Sequence, residues 1–185
     1  MDMRVRRTES SIKNAFIELR TKKDIEKITV KELCERAYIN KATFYQHYKD
    51  IYELSERLEQ EAIVSAVNSL ERPEELITDP RHSFDVLSVS MGHQSGLFKI
   101  LFSGTRKYRM SLLLEKELKR AILQKFPEYE GDLEVEILMT VVIQGIFTTS
   151  IRYLDNDFNR VIDILGDINE TLINAFKEKR SNRDT

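Results

Sequence analysis

Residues 29–54 read TVKELCERAYINKATFYQHYKDIYEL, and the reading of this stretch decides the fold. It holds three candidate helix starts. Thr29, with Glu32 three residues later, has the spacing of a capping box, in which a hydroxyl and a carboxylate close two free N–H groups. Ile28 before it and Leu33 after it have the spacing of a hydrophobic staple. Asn40 suits a second N-cap, with Ile39 and Phe44 as its staple, although Thr43 stands where the acid of the box would be. Asp50, with Glu53 three later, is the third. Together they predict two short helices of about two turns each and then a long one through IYELSERLEQEAIVSAVNSL, with Ile51, Leu54, Leu58 and Ala62 on one stripe. Upstream, ESSIKNAFIELRTKK places Ile12, Ala15, Phe16 and Leu19 at i, i+3, i+4 and i+7, one face of a helix. Short helices are unstable alone, so these two are expected to pack on the Phe16 face and on the start of the long helix.

The remaining composition agrees with an all-α chain. It has 185 residues, 41% of them hydrophobic and 32% charged, enough to bury a core. Three Pro and six Gly are sparse punctuation, which favours long helices over many strands and turns. One cysteine, Cys34, excludes an intrachain disulfide framework and a multi-Cys zinc site. The start, MDMRVRRTESS, has no apolar core after its charges, unlike a secretory signal. Apolar runs such as ILMTVVI are shorter than the roughly 20 residues of a membrane span. The expectation is a soluble, cytoplasmic protein with no membrane partner and no cofactor. No Gly-rich phosphate loop, nucleophile elbow or metal-ligand cluster is present to suggest an enzyme. His82 and His93 have no metal-binding spacing and read as solvated. Net charge is −2, but residues 1–50 hold 12 Lys and Arg against 8 Asp and Glu, while residues 51–185 hold 17 against 23. A basic front on an acidic body is expected when one end meets a polyanion.

ERPEELITDPR, with two Pro, reads as the junction between a small N-terminal domain over 1–52 and a body over 71–185, with a connecting helix at about 50–70. Helices are predicted in the body at about 80–93, 95–103, 105–126, 131–154 and 157–180. The RKYR run at Arg106–Arg109 reads as a solvated helix start. LEVEILMTVVIQGIFTTSI is apolar on nearly every side from Ile137 to Phe147, which predicts burial on more than one face. The final helix carries Phe158, Val161, Leu165, Ile168, Leu172 and Phe176 on one stripe. Either both helices are central in the monomer, or a second copy covers them in a two-fold four-helix bundle. The second reading places Ile143, Phe147, Ile151, Leu165, Ile168 and Leu172 in a homodimer interface.

Helix, short turn and a second helix rich in polar and aromatic groups is the helix-turn-helix layout over about 29–48. Phe44 and Tyr48, four apart, are expected to point inward. Thr43, Gln46 and His47 fall opposite, where Gln reads adenine through its amide and Thr or His bonds bases or phosphates. Lys41, Lys49 and the Tyr45 hydroxyl suit phosphates. A carboxylate at position 43 would repel DNA, which accounts for the missing acid. The same features also fit a solvated surface helix.

These residues resemble the DNA-binding signature of the TetR family of transcriptional regulators. The matching shape is Thr29 opening one helix, Ala37 closing it, a turn, and then Thr43-Phe44-Tyr45-Gln46-His47-Tyr48-Lys49. The family commonly shows Thr, Leu, Tyr, any residue, His, Phe there. The resemblance covers roughly residues 6–60. It implies an N-terminal three-helix DNA-binding domain and a C-terminal helical domain for effector binding and dimerisation. Thr43, Tyr45, His47 and Lys49 would contact phosphates or bases, Lys41 and Gln46 would face the groove, and Thr29 would bond a phosphate. The implied partners are a palindromic double-stranded operator, a second copy of the chain and a small-molecule effector. Candidates for the effector pocket are Phe84, Met91, Phe98, Phe102, Tyr108 and Phe147, with core packing as the other reading for each. A repressor is implied; an adaptor of the same fold, acting through protein partners without DNA, is the alternative. Phe44 and Tyr48 are conservative departures at the two inner positions, and one further departure matters. The family usually has Gly where this chain has Tyr38, and a turn residue there often needs φ > 0. The turn has another shape, or Tyr38 bears strain, or its ring packs usefully. Exchange of Tyr38 for Gly is expected to leave DNA binding intact; a large drop in affinity would give the ring a role.

Overall fold

The computed structural model describes residues 3–153 and 157–182. Among these the protein is all-helical, with ten α-helices, three short 3-10 turns and no strand. The helices are α1 (Met3–Arg20), α2 (Val30–Ala37), α3 (Lys41–His47), α4 (Ile51–Val67), α5 (Glu75–Thr78), α6 (Pro80–His93), α7 (Ser95–Leu101), α8 (Arg109–Lys125), α9 (Leu133–Arg152) and α10 (Phe158–Ser181). Residue 154, the expected end of the ninth helix, lies outside the described residues. The chain forms two compact units, Met1–Ala62 with Ser95–Tyr108, and Ile63–Gln94 with Arg109–Thr185.

In the first unit the periodic face of α1 is fully used. Ile12, Ala15, Phe16 and Leu19 are buried, together with Leu33 of α2, Phe44 of α3 and Leu54 of α4. Burial of each large apolar side chain stabilises the fold by about 1.5–3 kcal/mol, which gives the short helices the tertiary support they lack alone. Each predicted cap is present. The Thr29 hydroxyl accepts from the Glu32 N–H at 3.2 Å. The expected return half of that box is absent, because the Glu32 carboxylate turns to Lys23, whose ammonium donates to it at 2.6 Å. Asp50 accepts from the Glu53 N–H at 2.8 Å, and the Glu53 carboxylate accepts from the Lys49 N–H at 2.6 Å. That backbone bond, with a second bond from Arg57, holds the Glu53 carboxyl below its usual range.

Segment 95–108 packs within this unit, although it follows the Pro-rich junction in sequence. Phe98, Leu101 and Phe102 are buried, with the two Phe rings 6.2 Å apart. Two arginines tie the segment to the helices before it. Arg20, at the end of α1, donates to the Ile100 carbonyl at 3.1 Å and to the Ser103 hydroxyl at 2.6 Å. Arg106 donates to both oxygens of Glu59 at 2.8 and 2.9 Å, and Ser55 donates to the same carboxylate at 2.7 Å. Glu59 is 0% exposed and Arg106 9%. The reading of RKYR as a solvated helix start therefore fails at Arg106. Its partner lies 47 residues away in sequence, beyond the reach of any local pattern. Lys107 and Tyr108 are exposed, as expected.

In the second unit α6 packs on α10, and α9 packs on both α8 and α10. Ile77, Ile122, Val135 and Met139 form a core, with Phe126, Ile143 and Phe176 against it. The junction itself makes a helix start: Asp79 accepts from the His82 N–H at 3.2 Å, and Pro80 occupies the first turn of α6, where its missing N–H costs nothing. Gly166 lets α10 receive Arg81 of α6, since a Cβ there would lie 2.8 Å from the guanidinium carbon. Arg81 is anchored by Asp163 at 2.7 Å and Asp167 at 2.6 Å.

The expectation for α9 and α10 needs two corrections. Within one chain α9 is buried along Val135, Met139 and Val142 only, while Ile137 and Val141 are 54% and 59% exposed. Its second apolar face is open. On α10 the buried face runs through Leu165, Asn169 and Ile173, and the exposed one through Ile164, Ile168 and Leu172. Position 169 is polar, and its amide donates to the Pro80 carbonyl at 2.9 Å. A buried Asn satisfied this way is invisible to a hydrophobic pattern, so the stripe expected from sequence is rotated toward solvent. Contrary to the expectation from run lengths, Leu133–Arg152 is long and apolar enough by length and composition to cross a membrane. The core helix of a soluble protein has the same length and composition. Thr140 and Gln144 of α9 hydrogen-bond Glu115 of α8 at 2.8 and 2.6 Å.

Candidate nucleic-acid interface

The geometry of α2, its following turn and α3 starts from two caps. Helix α2 ends in a Schellman motif: the Ile39 N–H donates to the Cys34 carbonyl at 3.0 Å and the Tyr38 N–H to the Glu35 carbonyl at 3.4 Å. Tyr38 takes the left-handed conformation that this motif needs, φ 55° and ψ 43°. It is the only non-Gly residue with positive φ among those described. Of the three options for this turn, the structure selects strain: the shape is the one that favours Gly, a Tyr bears it at about 1–2 kcal/mol, and its ring is 96% exposed. Asn40 then opens α3, accepting from the Thr43 N–H at 2.8 Å and from the Thr43 hydroxyl at 3.1 Å.

Phe44 and Tyr48 point inward and are buried. The Phe44 ring meets Tyr45 edge-on at 5.4 Å, which braces the outward Tyr45 from below. Tyr48 follows the last turn of α3 in extended conformation. Its ring lies under the Arg57 guanidinium at 5.1 Å, and its hydroxyl is buried with no partner among the described residues. Burial pushes the Tyr48 hydroxyl pKa up. Burial likewise raises the Cys34 thiol, so Cys34 serves as a small apolar group rather than a nucleophile.

The outward set divides by exposure. Thr29, Lys41, Tyr45, Gln46 and Lys49 are exposed, and Thr43 and His47 are half-buried. Neither the Lys41 nor the Lys49 ammonium forms an ion pair within 4 Å among the described residues, although the Lys49 N–H donates to Glu53, and α3 contains no acid. Acids nearby are already paired: Glu18 with Arg36 and Lys22, Glu32 with Lys23, Glu35 with Lys31. Thr43 has spent its proton on Asn40, so its hydroxyl presents lone pairs and acts outward as an acceptor. Gln46 retains both donors and its acceptor. Sequence reasoning did not single out Asn40 as the group that orients Thr43. Its signal was the same N-cap pattern that marks the helix start.

The other predicted residues lie elsewhere. Phe98, Phe102 and Tyr108 belong to the first unit, and Phe84, Met91 and Phe147 to the second; Phe98 and Phe102 are core, and Tyr108 is exposed. Of the six residues assigned to a dimer interface, Ile151, Ile168 and Leu172 are exposed, Ile143 and Phe147 are half-buried, and Leu165 is buried inside its own chain. Leu133, Ile137, Val141, Phe158 and Ile164 are also exposed on the same two helices. No family model, curated protein or solved structure matches the chain.

Proposed function

We propose that this chain is a DNA-binding transcriptional regulator of the TetR type, a repressor that binds a palindromic operator as a homodimer. The observation that carries this reading is the division of residues 41–49. Two aromatic groups are buried as anchors, while Lys41, Tyr45 and Gln46 stay in water on a helix that carries no acid, and Lys49 is exposed just beyond its end. An acid-free outer face is what a helix entering the major groove needs, because a carboxylate there would repel the phosphates. Gln46 is suited to adenine, whose N6 and N7 match its amide. Lys41, Lys49 and Tyr45 are suited to phosphates, which fix register rather than sequence. Thr29, Thr43 and His47 complete the contact set by resemblance.

The exposed apolar residues of α9 and α10 support the homodimer, because an aqueous surface favours their burial against a like pair. Two reading heads then need to sit about 34–36 Å apart to enter successive major grooves. Release by a small molecule belongs to the reading through the family resemblance, and such an effector acts only by binding one head spacing better than the other.

The test is binding to DNA upstream of the chain's own gene, or to genomic fragments selected on the protein, as a function of salt. Affinity is expected to fall steeply with salt, and Lys49→Ala to lower the log–log slope by about 0.9 for each phosphate that the variant leaves unneutralised. Failure to bind any fragment at low salt would replace this reading with the adaptor that meets only proteins.

A further inference from the structure

Tyr38 combines three properties that rarely coincide. Its backbone occupies the left-handed region, where Gly or Asn is favoured. Its ring is 96% exposed. Its side chain makes no hydrogen bond and no ring contact among the described residues. Stability alone would select against Tyr here, since a smaller residue would cap α2 as well with less strain. A strained, outward aromatic group points to an interaction outside the molecule.

The surroundings identify the partner's chemistry. Lys41, three residues on, is exposed and without a carboxylate partner among the described residues. The carboxylates nearby in sequence, Glu18, Glu32 and Glu35, are already held by cations. In a helix-turn-helix the first helix crosses the DNA backbone and the second lies in the groove. The turn between them therefore meets the groove's edge, where the phosphates stand. Resting on the DNA-binding reading above, we propose that Tyr38 is a further DNA-contacting residue. Its hydroxyl donates to a phosphate oxygen and its ring lies on the adjoining deoxyribose. It is a positioning contact that aims α3, and it adds no sequence preference of its own. A DNA contact by Tyr38 is the opposite of the expectation that Tyr38→Gly leaves binding intact, and the experiment decides between them.

The experiment compares wild type with Tyr38→Asn, Tyr38→Gly and Tyr38→Phe on a fragment selected by the wild-type protein. It reads Kd at several salt concentrations, and Tm. Asn and Gly both accept the left-handed turn, so Tm is expected to rise by about 2–4 °C while affinity drops about 10-fold or more. Phe is expected to weaken binding less and to leave Tm unchanged. The salt slope stays at the wild-type value, because a neutral hydroxyl releases no counterion, in contrast to Lys41→Ala or Lys49→Ala. The drop in affinity is expected to be uniform across operator variants. Tyr38→Asn binding as tightly as wild type overturns the inference and leaves the function standing. A weaker Tyr38→Asn whose Tm has fallen also overturns it, because the weakening then follows from the fold. A wild-type chain that binds no fragment overturns both.

Discussion

The two units end their cores differently. The first closes its interior: every large apolar side chain of α1 that the pattern assigned is covered, and the last gap is filled by charge, with Arg106 held bidentate by Glu59. What α3 leaves outside is polar, a tyrosine or an alanine. The second stops one layer short. Its α9 and α10 each bury one face and leave Ile137, Val141, Ile164 and Ile168 in water. A surface of unpaired lysines with aromatic hydroxyls is complementary to a polyanion, and a surface of branched aliphatics is complementary to another of its own kind. On the proposed function, the two units would meet different kinds of partner.

The largest effect should come from breaking the closure of the first unit. Arg106→Met removes the bidentate partner of buried Glu59, and urea or thermal denaturation should show a destabilisation of about 3–5 kcal/mol. Adding Glu59→Leu should recover most of it, because a matched apolar pair is often as stable as a buried ion pair. A single variant as stable as wild type would mean that charge does not close this core.

Opening the second unit to charge tests the other half of the contrast. Val141→Glu with Ile168→Glu should weaken self-association by about 3 kcal/mol, roughly 100-fold in Kd, seen as monomers in sedimentation or light scattering. A wild-type chain that is monomeric at micromolar concentration would remove the like-pair argument.

Smaller effects sharpen the contact surface. Gln46→Ala should cost about 1–3 kcal/mol at one base position and relax preference there, measured with operator variants. Weakening spread evenly over all positions would make Gln46 a backbone contact instead. Smallest of all, Tyr48→Phe removes a buried hydroxyl that no described protein group satisfies. It should raise stability by about 1 kcal/mol, or about 2–4 °C in Tm, with DNA affinity unchanged. A fall in either would show that the hydroxyl has a partner.

Much of this architecture is written locally. Thr29, Asn40 and Asp50 mark helix starts because a cap joins a side chain to an N–H three residues away, and such short-range geometry survives in sequence spacing. The buried and exposed sides of residues 41–49 are legible for the same reason: Phe44 and Tyr48 are one helical turn apart. Position 38 shows the limit. Its departure from Gly was visible, but the three ways of accommodating a Tyr differ only in backbone angle and ring exposure, which one residue type does not encode.

By itself the sequence determined an all-helical chain, the positions of the helix starts around residues 29–54, and which residues of that stretch face inward. These follow from interactions within four residues of one another. Tertiary structure alone decided the rest. It brought segment 95–108 into the first unit through Arg20 and Arg106, rotated the buried face of α10 onto Asn169, and left one side of α9 uncovered. Each of these depends on a partner dozens of residues distant, and periodicity along one helix carries no information about what stands across from it.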